Sequence, residues 1–128
     1  MKTSERHMRS YAPEGLMVLR GPGEEYDKGS HWVVGDGHGY AEGLLMKDRD
    51  AIHPNTFYVE NIIVKELKRG NGHGRALYAM VEEFARNVGA EWIQIDSEPE
   101  AVGFWRKMDY TELDRVFYKN KTAMVKKL

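Results

Sequence analysis

Arg69-Gly70-Asn71-Gly72-His73-Gly74 lies between a β-branched run that ends at Val64 and an amphipathic pattern that begins near Arg75. Glycines at a strand-to-helix junction let several backbone N–H groups converge on one point, where the helix dipole is also positive. Such a junction reads either as a phosphate cradle or as a plain flexible connection. Two familiar phosphate loops are disfavoured by spelling. His73-Gly74-Arg75 offers neither the lysine nor the metal-binding hydroxyl of a P-loop. Glycines at 70, 72 and 74 are spaced by two and do not spell the dinucleotide fingerprint Gly-x-Gly-x-x-Gly.

Working outward, Thr56 to Val64 is almost continuously apolar, as expected of a strand buried on both faces. Downstream, Leu77, Val81, Phe84 and Val88 recur at helical spacing, with Arg75, Glu82, Glu83 and Arg86 placed to face water and Gly89 as the stop. Trp92 to Ile95 reads as a second buried strand. Strand, loop, helix and strand then make a βαβ unit with parallel strands. Ser97 or Glu98 caps a second helix with Pro99 in its first turn, buried through Ala101, Val102, Trp105 and Met108. Thr111 to Tyr118 and Thr122 to Lys126 are expected to close the chain as a hairpin, with Lys126 and Lys127 as a solvated end.

Upstream, His31 to Val34 and Tyr40 to Met46 flank Gly35-Asp36-Gly37-His38-Gly39, which predicts another hairpin. Lys47 to Asn55 reads as a loop, Thr3 to Tyr11 as a short helix and Leu16 to Leu19 as a strand, with a break at Gly21-Pro22-Gly23.

The chain has 128 residues, 41% hydrophobic and 30% charged, which suits one domain with one core spanning residues 1–128. A net charge of −1 gives little general attraction for nucleic acid. No window approaches the roughly 18 apolar residues of a membrane span, and Met1 to Ser10 lack a signal peptide's apolar segment. Cytoplasmic residence is expected. Cysteine is absent, which removes disulfides and thiolate nucleophiles, and the five histidines show no metal-ligand spacing. Between Gly23 and Asp50 acidic residues outnumber basic ones, Glu42 among them. They form either a solvated face or a cleft that attracts a cationic acceptor.

Val64-Lys65-Glu66-Leu67-Lys68 followed by Arg69-x-x-Gly72-x-Gly74 resembles the acetyl-coenzyme A signature of the GNAT superfamily of N-acetyltransferases. The flanking elements extend the resemblance from about Thr56 to Leu128. It implies an α/β (mixed α+β) single domain, a twisted mixed sheet flanked by helices, that moves an acetyl group from acetyl-CoA to a primary amine on a small molecule or a protein. The diphosphate would sit on the amides of Gly70, Asn71, Gly72, His73, Gly74 and Arg75, with Arg69 either adding charge or holding the loop. The pantetheine arm would pair along Ile62, Ile63 and Val64, whose amides would also supply the oxyanion donors.

Glu60 would be the general base of such an enzyme, because Glu60-Asn61-Ile62-Ile63-Val64 resembles the segment where many relatives carry one. From the residues alone, Glu60 lies in phase with Ile62 and Val64 unless a bulge intervenes, and a buried carboxylate needs a reason. A structural ion pair is the competing one. Ala101 to Tyr110 resembles a family segment in which a tyrosine protonates the leaving sulfur, but Trp105 holds that position and Asp109 holds that of a glycine. Another tyrosine such as Tyr118 would then assist, and Trp105 and Glu98 would touch the coenzyme. The N-terminal region leaves no room for the family's usual helical pair, so a homodimer that completes the acceptor site is one expectation. A non-catalytic coenzyme A sensor or protein-interaction module is the alternative.

Overall fold

A computed structural model describes residues 11–21, 30–46, 53–65 and 72–128. The expectations for Thr3 to Ser10, for Pro22 and Gly23, for Lys47 to Ile52 and for Arg69, Gly70 and Asn71 lie outside the described residues. Seven strands form one mixed sheet: β1 (Met17–Arg20), β2 (Ser30–Gly35), β3 (Gly39–Met46), β4 (Thr56–Val64), β5 (Trp92–Ser97), β6 (Thr111–Glu112) and β7 (Thr122–Lys127). Their order is β1-β2-β3-β4-β5-β7-β6, with β4 and β5 parallel and every other pair antiparallel. The β2–β3 hairpin, the strand over Thr56–Val64 and the parallel crossover are all as predicted.

The crossover helix α1 (His73–Asn87) lies on the face of the sheet that carries Trp32, Phe57 and Val59. Its apolar residues recur every three or four positions, so Leu77, Val81, Phe84 and Ala85 reach one stripe and are buried. Phe84 takes the edges of Trp32 and Phe57, with ring centroids 5.1 and 5.9 Å away. After β5, a single 3-10 turn (Pro99–Ala101) leads into the short helix α2 (Val102–Lys107). Trp105 locks α2 to α1 by packing on Tyr78 at 4.3 Å and on Tyr110 at 5.0 Å. Asp109 adopts φ 71°, the left-handed turn expected of it.

Several expectations need correction. Only Phe57 and Val59 in the first half of β4 face the core with Thr56 also buried, whereas Glu60, Asn61 and Ile63 are exposed. Glu82 is buried and does not face water: Lys126 Nζ approaches its carboxylate at 3.0 Å and the Tyr110 hydroxyl donates to it at 3.3 Å. Lys126 is therefore a partly buried, paired cation, whereas Lys127 is exposed as expected, with Nζ 5.8 Å from the Trp92 ring centroid. The first arm of the closing hairpin shrinks to Thr111 and Glu112, because Arg115 to Tyr118 are exposed and make no ladder with β7.

Candidate active site

Hydrogen bonding between β4 and β5 runs only from Thr56 opposite Trp92 to Val59 opposite Ile95. Both strands continue, β4 by five residues and β5 by two, without pairing. The sheet therefore opens at the carboxyl ends of its one parallel pair, the usual position for a ligand in such sheets. A cleft of about 230 Å³ occupies the opening. Its walls are Val59 to Ile62 from β4, Ile95 to Ser97 from β5, Glu98, Ala101 and Trp105 from the segment beyond, Tyr78 from α1, and Lys121.

A bulge shapes the β4 wall. On β3, Gly43 pairs with Val59 and Glu42 pairs with Asn61, so Glu60 is an extra residue opposite neither. The extra residue changes the phase of the strand. Ile62 and Val64 turn toward the core with Val59, and Glu60 is left on the other face. The expectation that Glu60 shares a face with Ile62 and Val64 thus fails at its own stated exception. Its side chain is 41% exposed, so it is a cleft-wall carboxylate and not a buried charge.

Two groups behind the cleft were not singled out by sequence. His31 of β2 is buried, with Nε2 2.9 Å from Glu42 Oε2 and 3.7 Å from Glu60 Oε1. Asp96, at the carboxyl end of β5, accepts a hydrogen bond from the Tyr58 hydroxyl, while its Oδ1 is buried with no hydrogen-bond partner among the described residues. The carboxyl end of a parallel strand is the one sequence signal that could have pointed to Asp96. Burial holds the Tyr58 phenol well above its usual range; the hydrogen bond and charge of Asp96 push it further, and Tyr118 adds a smaller effect. Tyr118 is 57% exposed and is not part of the cleft wall. The phenol in the wall is that of Tyr78, which burial also keeps protonated.

Trp105 is only 5% exposed, yet it forms part of the cleft floor, so it contributes shape and no ionisable proton. Glu98 stands in the wall beside Lys121, whose Nζ is 3.5 Å from Glu98 Oε1.

Beyond β4, the N-cap of α1 is Gly72 at φ 78°, a left-handed conformation that glycine adopts without steric penalty. No side chain caps this end, and its first turn carries no acidic residue. The first helical bond runs from Ala76 N to Gly72 O at 3.1 Å, which leaves the amides of His73, Gly74 and Arg75 without intrahelical acceptors. An added Cβ at Gly72 would meet nothing within 4 Å. A diphosphate fits the donors and the open space found there. His73 stacks on His38 of the β2–β3 turn, with centroids 3.9 Å apart. A Cβ at Gly74 would lie 3.6 Å from Val64 Cγ2, so the end of β4 abuts the start of the helix. Ile62, Ile63 and Val64 therefore form a continuous edge leading from the cleft to the helix N-terminus.

A mixed sheet splayed at its parallel pair, with an uncapped glycine helix start at the end of the splayed strand, defines the class of acyl-coenzyme A-dependent transferases. A sequence profile described as Acetyltransferase (GNAT) domain matches residues 27–126, and the chain belongs to this family. Among solved structures, an acetyltransferase from Streptococcus agalactiae is similar at 21% identity and a TM-score of 0.57, covering 79% of this chain and 68% of that one. Escherichia coli ElaA is similar at 15% identity and 0.59, covering 81% and 75%. An IAA acetyltransferase from Bacillus cereus is similar at 15% identity and 0.60, covering 88% and 99%. No curated protein matches the chain.

Proposed function

We propose that this chain transfers an acetyl group from acetyl-CoA to a primary amine by direct attack, with Glu60 as the general base. The observation that supports the reading is Glu60 in the wall of the cleft where β4 and β5 part, with its side chain partly exposed. A primary amine has a pKa of about 10.4 and arrives protonated at neutral pH. Glu60 takes one proton from the ammonium, directly or through a water, and the freed nitrogen attacks the thioester carbonyl. The carbonyl re-forms as the carbon–sulfur bond breaks, the pair of electrons leaves on sulfur, and the second proton shed by the acylated nitrogen ends on the thiolate, giving the amide and the free thiol. A thiol of about the acidity of cysteine, near 8.5, departs as thiolate at modest cost, so Trp105 in place of a proton donor is compatible with turnover.

In the same reading the diphosphate rests on the amides of His73, Gly74 and Arg75 with Gly72 at the bend, and the pantetheine arm follows Ile62, Ile63 and Val64. Glu98 and Trp105 close the far wall against the arm. Glu42, Glu60 and Asp96 give the neighbourhood a negative potential, which favours a cationic amine as acceptor. The alternative, a coenzyme A-binding module without turnover, is favoured by Trp105 alone. Glu60→Gln separates the two. As an enzyme the variant loses about 10²- to 10⁴-fold in kcat while calorimetry finds its affinity for coenzyme A unchanged. An unchanged rate rules out Glu60 as the base, and no thiol release by the native protein across a panel of amines, polyamines and lysine peptides supports the binding module.

A further inference from the structure

We propose that His31 is a positioning residue that holds the Glu60 carboxylate in its working orientation, with Glu42 fixing the imidazole through the same Nε2. This rests on the reading of Glu60 as the base. The three residues come from three adjacent strands. In the β2–β3 ladder His31 faces Leu44 and Glu42 faces Val33, which places His31 and Glu42 diagonally on one face of the sheet. Glu60, the residue after core-facing Val59, falls on that face as well.

The distances assign the roles. Nε2 lies 2.9 Å from Glu42 Oε2, a full hydrogen bond, so Nε2 carries the proton and Glu42 sets the plane of the ring. The same N–H edge lies 3.7 Å from Glu60 Oε1, too long for a hydrogen bond but close enough to attract one carboxylate oxygen. The His31 side chain is 8% exposed and that of Glu60 is 41% exposed. Glu60 is thus tethered at its back by a buried, fixed ring, while the same side chain forms part of the cleft wall. A glutamate with three free torsions would otherwise sample many rotamers, and misplacement by about 1 Å of a group that must meet a proton in line costs on the order of 10²-fold in rate.

Two polar variants isolate the contact. His31→Gln places an amide nitrogen where Nε2 sits, whereas His31→Asn places it where Nδ1 sits and cannot reach either carboxylate. Acetyl transfer to spermidine and to a lysine-containing peptide is measured for both, in the native and Glu60→Gln backgrounds. His31→Asn should lower kcat about 10- to 100-fold with KM for acetyl-CoA unchanged, His31→Gln should stay within a few-fold of native, and neither should lower the rate further once Glu60 is Gln. Equal losses in both backgrounds, or a raised KM for acetyl-CoA, mean a structural role and overturn the proposal.

A second readout needs no acceptor. Crystal structures of the two variants should show the Glu60 side chain spread over several rotamers in His31→Asn and returned to one in His31→Gln, because the contact that holds it is lost and then restored. A single native rotamer of Glu60 in His31→Asn overturns the contact. If the rotamers spread but Glu60→Gln keeps the native rate, the tether stands and the assignment of the base falls.

Discussion

Gly43→Ala tests whether the strand pairing that creates the bulge is as close as the structure makes it. Gly43 pairs with Val59, the residue just before Glu60. A Cβ there would lie 2.5 Å from Phe57 Cε1, 2.7 Å from Cζ and 2.8 Å from the Tyr58 carbonyl oxygen. Carbon pairs rest at about 3.5–4.0 Å, so the ring would have to move by roughly 1 Å. It has little room, being 1% exposed and edge-packed on Phe84.

Two effects oppose each other in this variant. Overpacking costs about 1–3 kcal/mol. The reduced entropy of the unfolded chain returns about 0.4–1 kcal/mol, because Gly43 does not have the positive φ that would strain an alanine. Sterics win by about 1–2 kcal/mol, which for a chain of 128 residues lowers Tm by roughly 4–10 °C. Thermal and urea unfolding followed by circular dichroism measure it. Phe57→Leu, which removes the clashing ring edge, should recover part of the loss, so the double variant is more stable than the sum of the single effects. An unchanged or raised Tm for Gly43→Ala, or strict additivity with Phe57→Leu, refutes the packing argument.

Gly72→Ala has open space for its methyl, so its effect comes from the backbone alone: the left-handed N-cap costs about 1 kcal/mol. Urea unfolding should show that loss, while calorimetry should find the affinity for coenzyme A unchanged, because the same strain is present in the free and the bound chain and cancels. Lys126→Met strands the Glu82 carboxylate inside the protein and should destabilise it by about 3 kcal/mol in urea unfolding. Adding Glu82→Leu should recover most of that, since an apolar pair replaces the ionic one. The phenols of Tyr58, Tyr78 and Tyr110 are all held above the usual value near 10, chiefly by burial, so the folded chain keeps protons that the unfolded chain releases. Their contribution to stability is complete below about pH 10 and is lost as pH rises above it. Absorbance near 295 nm should show these three of the seven tyrosines titrating only with unfolding.

The elements set by local pattern were readable from the chain. A continuous apolar run marked β4, and a period of 3.6 marked α1. Misreadings arose where a distant element decides the outcome. On the helix pattern alone Glu82 looks like a solvent-facing residue; it is internal because Lys126 on β7 and Tyr110 before β6 both reach it. Thr111 to Tyr118 has the composition of a strand, but only Thr111 and Glu112 join the ladder with β7, with one further bond from Leu113 N to Ala123 O. Trp105 fell correctly among buried residues, yet its place in the cleft floor depends on how α2 packs on Tyr78.

The bulge is the hardest feature to read from sequence and the one on which the chemistry depends. Val59-Glu60-Asn61-Ile62 contains no glycine or proline to announce it, and a strict period of two would place Glu60 with Ile62. One inserted residue does three things together. It sends Ile62 and Val64 into the core, which anchors the far half of β4 against α1. It leaves Glu60, already on the face of His31 and Glu42 by alternation from Val59, without a partner on β3. It also falls where β4 ceases to pair with β5, so the carboxylate meets the opening and not a neighbouring strand. Deleting Asn61 would set Glu60 opposite Glu42 and leave Ile62 opposite Ala41 and Val64 opposite Gly39, an uninterrupted ladder with both apolar residues still facing the core, so urea unfolding should find stability largely kept while acetyl transfer, which needs the break in the ladder beside the cleft, should fall.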